Sequence, residues 1–478
     1  MRKTKIICTL GPATIRDNNV EKLVAGGMNV ARFNFSHDNH ELHKGRLDEI
    51  RMLSKKYNKP VACLLDTKGP EIRVRDFKDG KVVLEAGQTF TLTSREVEGT
   101  NEIVSITYKE LPSDVKPGTS ILIDDGLIGM EVVEVKNGTD IVCKVKNGGA
   151  VSNKKGINVP GANLSMPFIG EQDRSDIEFG IDNDYDFIAA SFVRTAQDIL
   201  DIRKIMEEKK NTSVKIIAKI ENMQGVNNID AILEVADGVM VARGDMGVEV
   251  PYEEVPVIQK MIIKKARKAG KIVITATQML DSMIKNPRPT RAEITDVANA
   301  IYDGTSAIML SGETAAGDYP VEALATMSNI AERIEKDIDY KKRFFEIKND
   351  NKTSCTDAIC HATVTTSYDL QASAIVTVTK SGHSARKIAK YRPAQPIIAC
   401  ATSEKTCRQL NLVWGVQPKL IDEASDVFEL LDESIEKAKE TEIVKDGDTV
   451  VLTAGVPVGI PGQTNMLKVQ KVGEKLSK

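Results

Sequence analysis

The stretch Lys215–Val250, KIIAKIENMQGVNNIDAILEVADGVMVARGDMGVEV, decides the fold. It contains two apolar runs, KIIAKIE and GVMVARGD, and each run ends in charged residues. One helix-length segment, Gly225 to Ala236, lies between them. Two strands joined through a helix form a βαβ unit, whose strands run parallel because the helix carries the chain back to the starting edge. The stretch therefore predicts an α/β fold built on a parallel sheet.

The charged ends of these two runs predict a functional site. Residues two apart in a strand share a face, so Lys219 and Glu221 are expected to point the same way. Arg243 and Asp245 are expected to do likewise. In parallel α/β proteins the carboxyl ends of neighbouring strands meet at the ligand-binding crevice. Two carboxylates with a lysine and an arginine suit a divalent cation and an anionic substrate. One such pair alone is explained as well by surface charge in polar turns.

The same alternation of strands and helices recurs along the chain, and this favours a site over scattered charge. Apart from one long insertion, the number and spacing of the βα units predict a closed (β/α)8 TIM barrel. The strands are predicted to start at Lys5, Asn29, Val61, Phe187, Lys215, Gly238, Lys271 and Ser306. Their carboxyl ends carry Arg32, Asn34, Asp66, Lys219, Glu221, Asp245 and Thr277. In the run Lys271–Leu280, Thr275 and Thr277 are predicted to share a face.

The composition narrows the classes of function. With 478 residues the chain is long enough for several domains with sizeable cores. The net charge of -3 gives no reason to expect a nucleic acid or a membrane as partner. The seven cysteines are scattered without a CxxC pair, so neither a zinc site nor a disulfide framework is predicted. No apolar run is long enough for a membrane span, and together these features predict a cytoplasmic protein.

A β-rich segment interrupts the barrel pattern. From Lys68 to about Pro167, apolar and polar residues alternate, and turn signals such as Lys-Asn-Gly separate the runs. The segment contains no convincing amphipathic helix, so it predicts a small antiparallel β domain inserted into the α/β domain. Its end, NKKGINVPG, places Lys154 and Lys155 beside a glycine. These are either solvated lysines or a pair that reaches back to a phosphate.

A second α/β alternation begins after a charged connecting segment, Glu335 to Asn351. Helical segments alternate there with the strands AIVTVT, PIIACA, PKLID and TVVLTAG. This pattern predicts a further domain with its own mostly parallel sheet. The predicted boundaries are 1–67 and 167–340 for the barrel, 68–166 for the inserted domain and 341–478 for the C-terminal domain.

The predicted site permits two kinds of chemistry. Glu221 and Asp245 are hard oxygen ligands of the kind that Mg²⁺ takes beside substrate oxygens. Lys219 and Arg32 add positive charge, which suits phosphoryl transfer because that reaction depends mainly on positioning and charge stabilisation. The same metal could equally stabilise an enolate beside a carbonyl. No GxxxxGK[ST] loop is present, which argues against a P-loop kinase but leaves both chemistries open.

Several longer motifs resemble those of pyruvate kinases over essentially the whole chain. The matching segments include RFNFSH, LLDTKGPEIR, KKGINVPG, IIAKIEN and VARGDMGVE. The longest, ATQMLDSMIKNPRPTRAEITDVANAIYDGTSAIMLSGETAAGDYPVEA, is highly specific. The resemblance implies a barrel domain, a β-barrel-like lid in the insertion and a C-terminal regulatory domain. It implies a transferase that moves the phosphoryl group of phosphoenolpyruvate to ADP in the last step of glycolysis, giving pyruvate and ATP.

The resemblance also implies roles for individual residues. Lys219 in IIAKIEN would stabilise the transferring phosphoryl group, and Arg32 in RFNFSH would clamp the phosphate. The backbone of Gly244 and the side chain of Thr277 would hold the substrate carboxylate, with Asp245 beside them. Thr277 would also lie where the enolate is protonated through water.

Metal ions and the nucleotide are assigned by the same resemblance. It implies Mg²⁺, with Mn²⁺ as an alternative, at Glu221 and Asp245. A requirement for K⁺ is also predicted. Family members that depend on K⁺ carry Glu at the position of Glu71, whereas members that do not depend on K⁺ carry Lys there. Asp38 departs from the family pattern, and its charge is expected to weaken ADP binding slightly. The implied K⁺ site is Asn34, Ser36, Asp66 and Thr67. The implied nucleotide contacts are Asn34, His37, Arg73 and Lys155.

The loop TKSGHS joins a predicted strand to a helix in the C-terminal domain. Its hydroxyls, glycine and lysine suit a phosphate held at a helix N-terminus, although a plain serine cap explains the loop equally well. The family uses this loop for the phosphate of an activator, often a sugar bisphosphate, with Gly455–Asn465 as the second wall. The implied allosteric residues are Thr379, Lys380, Ser381, Gly382 and Ser384.

Two other functions stay open at this point. One is a Mg²⁺-dependent lyase or aldolase that acts through a pyruvate enolate. It shares the two carboxylates but does not call for Arg73, Lys155 or the inserted domain. The other is a non-catalytic metabolite sensor, against which the intact Lys219 and Thr277 argue. Assembly into a homotetramer is an expectation from the family resemblance alone.

Overall fold

A computed structural model describes residues 1–347, 354–424, 426–458 and 462–475 of the chain. The described residues form a closed barrel, a β-rich domain inserted after the third barrel strand, and a C-terminal α/β domain. Within the described ranges, no helix combines the length and the apolar character that a membrane crossing requires.

A closed barrel of eight parallel strands forms the centre of the molecule, as the sequence predicts. The last strand closes against the first, with Ala307 opposite Lys5. The strands are almost wholly apolar because one face lines the barrel interior and the other packs against the surrounding helices. In chain order they span Lys5–Thr9, Val30–Asn34, Ala62–Asp66, Phe187–Ala190, Lys215–Ile220, Gly238–Ala242, Ile272–Ala276 and Ala307–Leu310.

Helices surround the barrel, and local signals set the ends of the longer ones. The helix Arg291–Asp303 begins at a capping box between Thr290 and Glu293 and ends at Gly304, whose φ is 97°. The α-helices are Pro12–Ile15, Asn19–Ala25, His40–Lys56, Glu171–Asp182, Ala196–Glu208, Met223–Asn227, Ile229–Val235, Arg243–Glu249, Val255–Ala269, Arg291–Asp303, Gly312–Ala315 and Pro320–Glu335. Short 3₁₀ helices span Arg16–Asn18, Tyr252–Glu254 and Asp281–Ile284.

The strand that contains GVMVA ends earlier than the sequence suggests. It stops at Ala242, and Arg243–Glu249 is a helix, so the prediction that Arg243 and Asp245 share a strand face is wrong. Arg243 Nη1 donates to Asp296 Oδ1 on an outer helix at 2.7 Å, and Nη2 donates to the carbonyl of Thr277 at 2.7 Å. Arg243 therefore connects its own helix to an outer helix and to the loop at Thr277.

Two further elements differ from the prediction. The strand predicted to reach Leu280 ends at Ala276, so Thr277 follows the strand and does not share a strand face with Thr275. The single helix predicted between Gly225 and Ala236 is two helices, which meet at Asn228. The Asn228 side chain donates to the carbonyl of Arg194 at 2.9 Å, which holds the chain at the break.

The inserted domain is a seven-stranded sheet with a separate apolar core. One strand pair, Thr89–Thr93 with Ile103–Ser105, is parallel, so the sheet is mixed and not purely antiparallel. A bridge between Val74 and Ile106 joins the two edges and gives a barrel-like closure. One short helix, Leu111–Asp114, has no counterpart in the prediction. The other strands are Ile72–Arg73, Ser120–Ile123, Ile128–Lys136, Asp140–Val145 and Gly156–Asn158, with Lys81–Leu84 and Gly149–Ser152 forming a separate pair.

The C-terminal domain is a five-stranded sheet covered by helices. Four strands are parallel, as predicted, and Met466–Lys471 adds an antiparallel edge that the prediction missed. Only one residue of that strand is buried, so it lacks the buried apolar run that marks the others. Residues 348–351 of the predicted connecting segment lie outside the described residues. The strands are Ala374–Val378, Ile397–Ala401, Val416–Leu420, Thr449–Ala454 and Met466–Lys471. The helices are Tyr340–Phe345, Cys355–Asp369, His383–Lys390, Glu404–Leu410 and Val427–Lys439.

The C-terminal domain packs against the amino end of the barrel. Arg408 reaches across the contact, with Nε 2.8 Å from the buried Asp186 and Nη2 2.6 Å from Asp184. Lys5, at the start of the first strand, donates to the carbonyl of Val416 at 2.6 Å. The predicted site lies at the opposite, carboxyl end of the strands.

Candidate active site

A buried ionic cluster lies at the carboxyl end of the barrel. Lys219 Nζ is 3.1 Å from Asp66 Oδ1 and 3.0 Å from Glu221 Oε1. It also donates to Ser191 Oγ at 2.7 Å. All four side chains are buried, so water screens their charges only weakly. The ends of three neighbouring strands therefore bring these groups into direct contact.

Asp66 is the carboxylate that two cations share. Its Oδ2 accepts a hydrogen bond from Arg32 Nε at 2.6 Å, while its Oδ1 faces Lys219. Arg32 Nη1 is fixed further by donating to Thr9 Oγ1 at 3.0 Å. Burial alone would raise the pKa of Asp66, but the charges of Arg32 and Lys219 outweigh it and hold that pKa below its usual value. Asp66 is therefore ionised at neutral pH.

The charge of Lys219 is stabilised by its neighbours. Burial alone would lower the pKa of Lys219, because a buried ammonium loses its hydration. The carboxylates of Asp66, Glu221 and Asp245 outweigh burial and raise that pKa above its ordinary value. Lys219 is therefore a full ammonium throughout the physiological pH range.

Glu221 and Asp245 fit a divalent cation. Among the described residues, Glu221 Oε1 is buried without a hydrogen-bond partner, although Lys219 Nζ lies 3.0 Å away. Its other oxygen accepts from the backbone N–H of Phe192. Burial raises the pKa of Glu221 despite Lys219, and the charge of Asp245 adds to the rise. A carboxylate oxygen without a well-directed hydrogen bond, next to a second carboxylate, is a donor set that Mg²⁺ completes with water or substrate oxygens.

Thr277 and Gly244, the two groups predicted to hold a substrate carboxylate, are in contact. Thr277 Oγ1 accepts from the backbone N–H of Gly244 at 2.7 Å and donates to the carbonyl of Ala276 at 2.6 Å. Thr277 has a φ of 71°, which is costly for a β-branched residue. Strain of this kind persists only where the surrounding structure enforces it, and it is concentrated at functional sites.

The residues predicted to hold K⁺ follow two paired strands, with Asn34 opposite Asp66. Asn34 Oδ1 accepts from the backbone N–H of Ser36 at 3.1 Å. Thr67 Oγ1 accepts from the backbone N–H of Ser191 at 3.1 Å. The four residues thus share one edge of the barrel mouth and offer oxygen donors, which hard cations prefer.

A cleft of about 620 Å³ opens between the inserted domain and the barrel. Glu71, Arg73 and Lys155 line it from the inserted domain, and Asp245 lines it from the barrel. Arg73 Nη2 is 2.7 Å from Glu71 Oε2, and Lys155 Nζ is 2.9 Å from Asp124 Oδ1. Two of the predicted nucleotide contacts therefore face the same space as a predicted metal ligand.

The other two predicted nucleotide contacts, Asn34 and His37, do not line this cleft. The carbonyl of His37 lies 2.9 Å from His43 Nε2, and the His37 side chain is exposed. Asp38 Oδ2 accepts from Arg46 Nη1 at 2.7 Å, and this hydrogen bond lowers the pKa of Asp38. Arg46 therefore compensates the charge of Asp38.

Sequence reasoning missed Ser191 and Phe192. Ser191 Oγ donates to the carbonyl of Thr67 at 2.6 Å and accepts from Lys219, so it links two parts of the site. Its position just past a buried strand was a usable signal, because the other site residues occupy equivalent positions. Phe192 contributes through its backbone N–H and has a φ of 56°, which leaves no side-chain signal to find.

The candidate allosteric loop lines a separate cavity of about 250 Å³ in the C-terminal domain. Gly382 precedes the helix His383–Lys390 with a φ of 75°. The hydroxyl of Ser384 is hydrogen-bonded to that of Thr464, so the loop meets the second predicted wall. Residues 459–461 of that wall lie outside the described residues. Of the predicted allosteric residues, Thr379, Lys380, Ser381 and Ser384 line the cavity and Gly382 does not, while His383 of the same loop lines it as well.

Comparisons with known proteins agree on one family. The profile of the pyruvate kinase barrel domain matches residues 1–324, and that of the pyruvate kinase alpha/beta domain matches residues 357–470. A pyruvate kinase from Staphylococcus epidermidis is 53% identical over 100% of this chain and 82% of its own length. One from Clostridium acetobutylicum is 51% identical over 99% of this chain and 100% of its own length. A crystal structure of a pyruvate kinase from Cryptosporidium parvum aligns with a TM-score of 0.93 at 40% identity, over 98% of this chain and 96% of that one.

The carboxylates of Glu221 and Asp245 lead to a test by metal binding. We expect Glu221→Gln and Asp245→Asn each to raise the Kd for Mn²⁺ by at least about tenfold, because each removes an anionic ligand. The measurement is the electron paramagnetic resonance signal of free Mn²⁺ during titration of the protein without substrates. Asp296→Asn is the matched control, because that carboxylate pairs with Arg243. Equal Mn²⁺ affinity in all four proteins would contradict the assignment.

Proposed function

Because the chain belongs to the pyruvate kinase family, whose members are phosphotransferases, we propose that it transfers the phosphoryl group of phosphoenolpyruvate to ADP, giving pyruvate and ATP. The observation that carries the proposal is the Lys219 ammonium held against the two buried carboxylates of Asp66 and Glu221 at the carboxyl end of the barrel. The proposal includes a cytoplasmic enzyme of the last step of glycolysis, with Mg²⁺ or Mn²⁺ and K⁺ as cofactors.

Lys219 and Arg32 are proposed to stabilise the group in transit. The bond from phosphorus to the enol oxygen breaks, and a bond to an oxygen of the ADP β-phosphate forms. Asp66 holds both cations in fixed positions before the reaction, so they need no rearrangement as charge develops. Mg²⁺ at Glu221 and Asp245 supplies further positive charge when bound. Arg73 and Lys155 are proposed to hold the nucleotide phosphates from the lid side.

Thr277 is proposed to orient the substrate and to guide its protonation. Its hydroxyl and the N–H of Gly244 are proposed to bind the substrate carboxylate, which would replace the hydrogen bonds that these two donors make to Ala276 and to Thr277. After phosphoryl transfer, the enolate takes a proton at its methylene carbon to become pyruvate. A water held by the Thr277 hydroxyl is the proposed donor. The lyase alternative uses the same enolate but gives no role to Arg73 and Lys155, which face the cleft beside Asp245.

The reaction itself is tested by product stoichiometry. The wild-type protein, with Mg²⁺ and K⁺, is expected to form pyruvate and ATP in equal amounts. Lys219→Met is expected to lower kcat by about a thousandfold, because it removes a fixed charge from the transition state. Lys215→Met is the control, since it makes the same change at the far end of the same strand. Pyruvate without ATP would contradict the nucleotide assignments, and an active Lys219→Met would contradict the role of that lysine.

Potassium dependence is proposed from Glu71. Glu71 Oε2 lies 2.7 Å from Arg73 and 3.8 Å from Lys68, so a carboxylate occupies the place where K⁺-independent members carry a cation. The expected result is loss of most activity when tetramethylammonium replaces K⁺ at equal ionic strength, followed by recovery when K⁺ is added back. The measurement is kcat at saturating Mg²⁺ and substrates. Full activity in tetramethylammonium would contradict K⁺ dependence.

We also propose a homotetramer. Two apolar side chains at the start of the helix Val255–Ala269 are exposed on this single chain, Tyr252 at 83% and Val257 at 60%. Exposure of this kind is common where another subunit packs.

The allosteric site is proposed for the loop from Thr379 to Ser384. A phosphorylated sugar or nucleotide is expected to bind in the 250 Å³ cavity and to shift the phosphoenolpyruvate saturation curve to lower concentration. The double variant Lys380→Ala, Ser381→Ala is expected to lose this shift while keeping its activity without effector. Kinetic titration with fructose 1,6-bisphosphate, ribose 5-phosphate and AMP checks it. A normal response of the variant to an effector that activates the wild type would contradict the site.

A further inference from the structure

We propose that Asn158 and Glu249 form a latch that holds the inserted domain over the barrel mouth and so positions the nucleotide-binding side chains. Asn158 Nδ2 donates to Glu249 Oε1 at 2.7 Å, and both side chains are half-buried and line the cleft. Asn158 ends a strand of the inserted domain, and Glu249 ends the barrel helix Arg243–Glu249. The inference rests on the proposed function, because it assigns the latch to the binding of ADP.

Asn158 is placed to control where Arg73 and Lys155 lie. It follows Lys155 closely in the chain, and its strand pairs antiparallel with the strand that carries Arg73. Glu249 belongs to the helix that also carries Asp245. One hydrogen bond therefore fixes two proposed nucleotide contacts relative to the barrel helix that carries a proposed metal ligand.

The other contacts between the two domains lie where the chain crosses from one to the other. Arg194 of the barrel donates to the carbonyls of Leu164 and Met166 at 3.0 Å each, and Asp173 accepts from the backbone N–H of Gly69 at 3.0 Å. These contacts hold the connecting segments and leave the strands of the inserted domain free to tilt. Within the described ranges, the latch is the only hydrogen bond that joins one of those strands to the barrel.

Glu249 occupies a position that is unfavourable for its own helix. It is the last helical residue, where a carboxylate faces the negative end of the helix dipole. Asp245 lies one turn earlier on the same face, and like charges at that spacing destabilise a helix. Burial raises the pKa of Glu249, and the charge of Asp245 adds to the rise, while the hydrogen bond from Asn158 opposes it. Local helix stability therefore does not explain this carboxylate, whereas its contact with the inserted domain does.

An apolar contact lies beside the latch. The turn that contains Gly126 approaches the barrel so closely that a Cβ atom at Gly126 would lie 3.6 Å from Val248 Cγ1. The same turn carries Asp124, whose Oδ1 is 2.9 Å from Lys155 Nζ. The inserted domain thus rests on two adjacent residues of one helix, Val248 and Glu249.

Exchanging the amide and the carboxylate tests the latch. Asn158→Asp places two carboxylates face to face and breaks the hydrogen bond, whereas Glu249→Gln alone keeps an acceptor oxygen. The double variant Asn158→Asp, Glu249→Gln has the net charge of the wild type and reverses the hydrogen bond, because the new amide donates to the new carboxylate. Asn101→Asp is the matched control, since Asn101 is exposed in the inserted domain and does not line the cleft.

The first measurement is the Kd for ADP in the presence of Mg²⁺, by calorimetry on the full chain. Asn158→Asp is expected to raise this Kd at least about fivefold, and the double variant to return it to within about twofold of wild type, because binding must close a domain that the latch no longer holds. Glu249→Gln is expected to raise it less than Asn158→Asp does, and Asn101→Asp to leave it unchanged. The KM for phosphoenolpyruvate should stay close to that of the wild type, because its proposed contacts all lie on the barrel.

The second measurement is the position of the inserted domain. Nitroxide labels at Lys136→Cys in the inserted domain and at Lys285→Cys beside the barrel mouth report it by double electron–electron resonance. Cys355→Ser removes the only exposed thiol among the described residues. The distance distribution is expected to broaden in Asn158→Asp and to narrow again in the double variant. Neither the Kd nor the distance needs turnover, so failure of the latch is distinguishable from failure of the proposed reaction.

Three results would overturn the proposal, each with circular dichroism confirming that the variants fold. One is an Asn158→Asp protein that binds ADP as tightly as the wild type. Another is a double variant that binds ADP as weakly as Asn158→Asp, since the loss would then come from a charge added near the phosphates. The third is a distance distribution that Asn158→Asp leaves unchanged.

Discussion

Asp66 carries a negative charge that is buried at the carboxyl end of the barrel and shared by Arg32 and Lys219. The buried Lys219 and the partly buried Arg32 would repel each other and lose hydration without a compensating charge between them. Asp66 holds both in place, and Lys219 in turn faces Glu221, the predicted metal ligand, with its Nζ 3.0 Å from Oε1. The positions of the cations and of the candidate metal site therefore all follow from one carboxylate.

The remaining site groups come from backbone that departs from regular structure where strands end. Thr277 and Phe192 both adopt positive φ just past their strands, and both aim polar groups at the site. The helix Arg243–Glu249 starts where its strand stops, which carries Asp245 to the cleft and sends Arg243 outward. The barrel thus supplies rigidity, and its irregular strand ends supply the chemistry.

The sequence predicts the parts of this fold that depend on periodicity. Eight buried strands with charged carboxyl ends identify the barrel and bring Lys219, Asp66 and Glu221 together. Periodicity could not show where a strand yields to a helix or a left-handed turn, so the geometry of Arg243 and Thr277 was predicted wrongly. The edge strand Met466–Lys471, of which only one residue is buried, was missed because it lacks an apolar run. Contacts made by backbone groups, such as that of Phe192, leave no side-chain pattern to detect.

The central claim is that the charge of Asp66, more than its shape, organises the site. Asp66→Asn tests this most directly, because the amide keeps the size of the side chain and removes only its charge. The measurement is kcat for pyruvate formation from phosphoenolpyruvate and ADP, with circular dichroism to check the fold. The account predicts a folded protein whose kcat is lower by at least about a hundredfold. A folded Asp66→Asn protein with the kcat of the wild type would contradict it.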